Sequence, residues 1–223
     1  FEFTSALPMI KGDEKFINYF EPKISMRYNP SNMIDHSDTS RKINNNNIFD
    51  INRLGLEDTL ESGANITIGL DYKKENLNNI NKYFELKLGT ILRDKDNTNV
   101  PVSSGIKDRN SNIFGKIVKN FNKNLAVNYD FSLNSSLDKI EYNSLGFLYS
   151  KNNFKTEFNF IEENGVIGSS NIIENISSLY LDEKNQITFK SRQNRKLDIA
   201  EYYNLIYEYK NDCLIAGITY NKT

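Results

Sequence analysis

The strongest constraint on this chain is a period of two. In 65–73, Ile66, Ile68, Leu70 and Tyr72 fall on one side, and Asn65, Thr67, Gly69, Asp71 and Lys73 on the other. Successive side chains of a strand point to opposite faces, so this pattern predicts a strand with one apolar and one polar face. The pattern keeps returning. In 83–92, Phe84, Leu86, Leu88 and Leu92 oppose Tyr83, Glu85, Lys87 and Gly89. In 124–133, Leu125, Val127, Tyr129, Phe131 and Leu133 oppose Asn124, Ala126, Asn128, Asp130 and Ser132. Phe154, Phe158 and Phe160 oppose Lys155, Glu157 and Asn159; Tyr203, Leu205, Tyr207 and Tyr209 oppose Tyr202, Asn204, Glu208 and Lys210. Helical periodicity is almost absent.

The pattern marks about eleven strands of about 8–12 residues, most joined by short turns such as 136–139, 150–153 and 182–185. Two connections are longer, about 29–62 and about 93–111. Soluble strands average about five or six residues, whereas a tilted membrane-crossing strand needs about nine to eleven. Short turns at one end and long loops at the other are the asymmetry of an outer-membrane barrel. Charge stands in mid-strand on the polar face, at Glu85, Lys87, Asp130, Glu157 and Glu208. A soluble β-sandwich or adhesin-like sheet also wets one face, so alternation alone leaves both architectures open. Strand length and the repeated meander favour the barrel, because closure removes exposed edges. The expected fold is all-β: an antiparallel transmembrane β-barrel built as a meander, with 1–223 as a single barrel region.

Composition narrows function. The net charge of −1 gives no bulk electrostatic case for nucleic acid. No run approaches the roughly 18 apolar residues of a spanning helix. The opening "FEFTSALPMI" has no signal-peptide character and starts inside an apparent strand without an initiator Met, so a fragment or excised region is expected. His36 is the only histidine, which rules out a histidine metal cluster. It stands between Asp35 and Asp38, a trio able to hold a cation through oxygens, but a solvated loop histidine is the simpler expectation. "GVIGSS" (165–170) lacks the lysine and the strand–helix context of a phosphate cradle. Glu162 and Glu163 are expected in a turn, solvated. No catalytic, metal or cofactor site is expected. Cys213 is the one cysteine and has no internal partner.

One stretch does not read as barrel wall. "NIFDINRLGLEDTLESGANITIGLDY" begins as an irregular, charge-mixed segment and turns into the alternating strand at 65. A polar loop folded over or into the lumen would have this character. Arg53, Asp58 and Glu61 suit lumen-side ion-pair anchors, since buried charges persist only when paired. Gly55 and Gly63 suit turns that other residues resist. A solvated surface loop whose charges pair with nothing is the alternative.

Residues 19–72 resemble the C-terminal barrel region of the LPS-assembly outer-membrane protein family, LptD, also called organic solvent tolerance protein. The resemblance runs through Glu21-Pro22, Asn29-Pro30, a loop with Asp38 and Ser40, and then Phe49, Asn52, Arg53, Asp58, Glu61, Gly63 and Gly69. The tail "YYNLIYEYKNDCLIAGITYNK" is similar to the family's final hairpin. Between 73 and 195 the likeness is only that of an alternating barrel. The chain departs from the family pattern at Leu56-Glu57-Asp58, where a Gly-Tyr-Asp type of triplet is usual, and in carrying one cysteine where two adjacent ones are common.

The resemblance implies a partial barrel, the C-terminal part of a larger one. It implies a non-enzymatic role at the Gram-negative cell outer membrane: inserting lipopolysaccharide into the outer leaflet through a lateral opening between first and last strands. Asn52, Arg53, Asp58, Glu61 and Gly63 would anchor the loop in the lumen. Leu214, Ala216, Ile218 and Tyr220 would line the gate strand. Cys213 would form a disulfide with the N-terminal region. Implied partners are lipopolysaccharide, outer-membrane lipid, an LptE-type lipoprotein plug, and the periplasmic LPS-transport bridge reached through the N-terminal domain. A porin-like passive channel and a soluble β-rich binding module are the competing readings. Exposed rows such as Leu125 to Leu133 speak against the soluble one.

Overall fold

The computed structural model describes residues 1–222. They form a single antiparallel sheet of thirteen strands. In chain order these are β1 (Glu2–Ala6), β2 (Met9–Gly12), β3 (Phe16–Asn29), β4 (Gly63–Asn76), β5 (Asn79–Arg93), β6 (Ile113–Asn122) and β7 (Leu125–Leu133). They continue with β8 (Ile140–Lys151), β9 (Phe154–Glu163), β10 (Asn171–Tyr180), β11 (Asn185–Asn194), β12 (Ile199–Lys210) and β13 (Ile215–Lys222). From β3 onward every strand pairs with its sequence neighbour. Among the described residues no helix is long and apolar enough to cross a membrane. The only helical turn among the described residues is the 3-10 turn Val102–Ser104.

Taking the two short leading strands from thirteen leaves eleven long ones, which is the number the periodicity marks. The leading pair is one broken edge strand. β1 lies against Lys23–Arg27 and β2 against Ile17–Phe20, on the side of β3 away from β4. The break falls at Leu7–Pro8, where proline removes a ladder donor. The strands β1 and β13 are the sheet's two ends and do not pair with each other among the described residues.

The turns segregate. One end of the sheet carries 13–15, 77–78, 123–124, 152–153, 181–184 and 211–214; Asn152 takes φ 53°, as a tight two-residue hairpin requires. The other end carries the long connections 30–62 and 94–112. Both long loops fold back onto one face, here called the inner face.

That packing turns the sheet inside out relative to a soluble protein. On β4, Asn65 and Thr67 are 4% and 0% exposed, while the intervening Ile66 and Ile68 are 37% and 44% exposed. Met26, Leu92, Phe147, Phe189 and Tyr207 are likewise exposed on the outer face. The buried apolar cluster lies inside, between the loops and the wall: Met33, Ile43, Ile48, Leu54 and Leu56 from 30–62, Val100 and Ile106 from 94–112, with Ile91 of β5 and Phe114 of β6. An exposed apolar outer face around a polar inner one is what a lipid solvent selects.

Candidate functional site

The first loop is held at its base by charge. The Arg53 side chain is fully buried; its Nε donates to Glu61 Oε1 at 2.5 Å and its Nη2 to Glu61 Oε2 at 2.7 Å. This is the two-pronged geometry in which arginine binds carboxylate best. Arg53 also donates to Thr67 Oγ1 at 2.9 Å, Asn65 Oδ1 at 3.1 Å and the Ile48 carbonyl at 3.3 Å. Glu61 takes a second guanidinium, from Arg93 at the end of β5, and Arg93 Nε donates to the Ile106 carbonyl of the second loop at 2.9 Å. Burial pushes the Glu61 carboxyl pKa up, but Arg53 and Arg93 outweigh it and hold the group at about 2. Arg27 of β3 completes the set, donating to the Phe49 carbonyl at 2.6 Å and to Glu2 of β1 at 2.9 Å.

Shape complements charge beside this network. Gly69 of β4 and Gly89 of β5 face each other across the ladder on the inner face. A Cβ on Gly69 would stand 2.6 Å from the Phe49 ring, and one on Gly89 would stand 2.9 Å from Ile48 Cδ1. The missing side chains form the hollow into which Ile48 and Phe49 press.

The two loops are stitched together. His36 N–H donates to the Asn99 carbonyl at 2.9 Å, and Asn99 Nδ2 to the Met33 carbonyl at 3.0 Å. At its far tip the first loop reaches the wall again, where Lys42 pairs with Glu163 of β9 and lies 5.9 Å over the Tyr142 ring of β8. Below the loops the inner wall is a ladder of opposite charges. Lys23 meets Asp71 at 2.8 Å and Glu21 at 2.9 Å, Lys73 meets Glu75 at 2.5 Å, Lys116 meets Asp130 at 3.8 Å, and Lys155 meets Glu157 at 2.7 Å.

The residues singled out in the sequence fall in different places. Arg53 and Glu61 meet in the buried network. Asn52 closes the neighbouring turn, exchanging hydrogen bonds with the Leu56 carbonyl (2.6 Å) and Leu56 N–H (3.0 Å). Gly63 begins β4 at φ 83°, the left-handed region, with Asp94 beside it. Asp58 stays out of the network: it is 54% exposed and faces His36 at 3.1 Å. Asp35 caps its own turn by accepting from Ser37 N–H, and no metal-binding cluster forms among the described residues. Glu162 and Glu163 end β9 instead of lying in a solvated turn; Glu162 accepts from Asn143 at 2.9 Å. Cys213 is exposed in the 211–214 turn at the short-turn end. Ala216, Ile218 and Tyr220 share the outer face of β13, while Leu214 falls in the turn before that strand. Arg27, Arg93 and Lys42 went unnoticed in the sequence, and Glu163 was expected there only as a solvated turn carboxylate. Arg93, on the polar parity of β5, carried a signal: a charge at a strand end facing the same side as Arg53's acceptors.

No curated protein matches the chain. A family model described as LptD, LPS transport system D, matches residues 2–188. That match takes in the loop network, the glycine hollow and most of an all-β antiparallel sheet whose apolar side faces outward: the chain belongs to the LptD family, the outer-membrane β-barrel proteins of lipopolysaccharide transport.

Proposed function

We propose that this chain is wall and plug of a barrel that delivers lipopolysaccharide into the outer leaflet of a Gram-negative outer membrane through a lateral opening. The observation that carries the reading is the inverted sheet with two interlocked loops packed onto part of its inner face. A wall of paired charges suits a phosphorylated, sugar-bearing headgroup, and the apolar outer face suits acyl chains. In this reading Arg53 and Glu61 are the lumen anchors, with Asn52 and Gly63 shaping the loop's two ends. The free edge of β13, with Ala216, Ile218 and Tyr220 directed outward and Leu214 leading in, forms one side of the opening. The inner wall of β10–β13, which the buried apolar cluster does not reach, takes an LptE-type lipoprotein. Cys213, at the end where the short turns of such barrels meet the periplasm, bonds to the N-terminal domain that receives lipopolysaccharide from the periplasmic bridge. No step in this role requires catalysis.

The test is depletion of the full-length parent protein in cells, after checking that it fractionates with the outer membrane. Loss of surface lipopolysaccharide with accumulation in the inner membrane is the expected result. Normal surface lipopolysaccharide with lost solute uptake would replace the reading with a passive channel.

A further inference from the structure

The lysines of the first strands divide by face. On the inner face Lys23, Lys73, Lys87 and Lys116 each lie within 4.0 Å of a carboxylate. Lys74 and Lys119 point outward, as the parity of β4 and β6 requires, and among the described residues neither forms an ion pair. Asp13, in the neighbouring turn, feels the charge of Lys74 without pairing with it. Aromatic rings take the carboxylates' place. Lys74 Nζ lies 4.3 Å over the Phe16 ring; Lys119 Nζ lies 5.9 Å from the Phe84 centroid and 5.7 Å from that of Phe121.

The register puts these groups in line. Phe84 is the cross-strand partner of Lys74 on one side and of Lys119 on the other. The row Lys74–Phe84–Lys119 therefore crosses three neighbouring strands at one height, with its two stems about 10 Å apart. That height is near the short-turn end, since Lys74 and Lys119 stand close to the ends of β4 (Gly63–Asn76) and β6 (Ile113–Asn122). At the loop end the same strands direct Tyr28, Ala64, Leu92 and Ile113 outward, with no lysine.

A lysine on a lipid-facing surface costs about 2–4 kcal/mol at the bilayer centre and about 0–1 near the headgroups. Such residues lay their methylenes along apolar surface and lift the ammonium into the interface. A ring below each ammonium steadies that pose and leaves its outer hemisphere free for an anion. Inside the barrel each of the four lysines has a paired carboxylate; on the outer rim Lys74 has only the unpaired Asp13 nearby and neither Lys74 nor Lys119 has an ion-pair partner among the described residues, leaving room for an anion from the surroundings.

We propose that the Lys74–Phe84–Lys119 row binds anionic phospholipid headgroups, through phosphate left unneutralised by a cationic group, in the leaflet at the short-turn end. The proposal rests on the membrane-barrel reading above, with the outer face in lipid.

The test uses the full-length parent protein in bilayers, with its other tryptophans replaced by phenylalanine. A Leu86→Trp reporter then sits one outward position deeper than Phe84; the stretch described here contains no tryptophan of its own. Quenching by brominated phosphatidylglycerol relative to brominated phosphatidylcholine gives the local headgroup preference. The expected preference for phosphatidylglycerol falls about five-fold for each lysine lost, the equivalent of about 1 kcal/mol per basic residue at a membrane surface. The double variant Lys74→Gln/Lys119→Gln should lose it, Lys74→Arg/Lys119→Arg should keep it, and the inward-facing Lys190→Gln should leave it unchanged. Equal preference in wild type and the double Gln variant overturns the headgroup site while leaving the barrel intact. A reporter that neither brominated lipid quenches overturns the lipid-facing assignment itself, and the proposal with it.

Discussion

Arg53 is the residue on which the first loop turns. A buried guanidinium is tolerated only with nearly every donor matched, and here Glu61, Thr67, Asn65 and the Ile48 carbonyl do the matching. Glu61 serves two arginines at once. Glu61→Gln leaves Arg53 and Arg93 buried without a counter-charge and should destabilise the docked loop by about 3–5 kcal/mol. Trypsin cleavage at Arg41–Lys42 in the reconstituted barrel should rise accordingly. Asp58→Asn removes only the exposed contact with His36 and should change that rate by less than about 0.5 kcal/mol equivalent. Acid should act through the same carboxylate. The docked Glu61 has a pKa of about 2 against an ordinary 4.5, so its stabilisation is complete above about 4.5 and vanishes as pH falls to about 2. That difference corresponds to about 3 kcal/mol. Pepsin nicking of 30–62, normalised at each pH to cleavage of an unfolded reference substrate, should therefore increase between pH 4.5 and 2 in wild type, and should be high and nearly flat over that window in Glu61→Gln.

At the scale of elements, the loop and the wall are matched surfaces. Gly69 and Gly89 leave a hollow two strands wide at one rung of the ladder, and Ile48 and Phe49 fill it. Gly69→Ala forces its methyl into the Phe49 ring and should cost about 1–3 kcal/mol of docking. Phe49→Ala makes room, so the same substitution in that background should cost little. A double-mutant cycle on loop protection should return a coupling of about 1 kcal/mol or more, and additive effects would mean the ring does not occupy the hollow. The strands themselves were legible because period two is a local property: Ile66 and Ile68 announce their face without reference to anything distant. The pairing of Arg53 with Glu61 was legible because both lie in one short segment that would otherwise bury or waste charge. The rest depended on contacts between remote parts of the chain. Met33, Ile43, Leu54 and Leu56 follow no period, because a loop folded on itself has none. Gly89 looks like any glycine on a polar face until Ile48 is placed on it. Arg27 meets Glu2 only once β1 is laid against β3, Glu163 meets Lys42 only because the first loop reaches β9, and Asp58 looked like an anchor although the loop turns it to solvent.

On the scale of the whole molecule, the two attachments of the first loop differ in strength. Its base is buried and charge-locked against β3–β5, whereas its tip is tied to β9 by Lys42 and Glu163, with Lys42 40% exposed. Glu163 is as buried as Glu61, 10% exposed in both, but its one cation is wetted, so the tip pair lies nearer the exposed limit of about 0.2–1 kcal/mol than the base, where two buried guanidinium groups share the carboxylate. The tip should thus leave the wall first and swing about the base, opening the inner face of β7–β9 while the lumen stays lined by the glycine-docked segment. Glu163→Lys replaces this attraction with repulsion and should raise the conductance of the reconstituted barrel in planar bilayers several-fold. Lys42→Glu combined with Glu163→Lys restores an ion pair of reversed sense and should bring conductance back toward wild type. Substitutions at the base should do more, because losing Glu61 frees the entire loop rather than its tip. A wild-type barrel already as conductive as Glu163→Lys would mean that the loops do not seal the lumen. The passive channel would then explain the charged wall better than a plugged conduit for lipopolysaccharide.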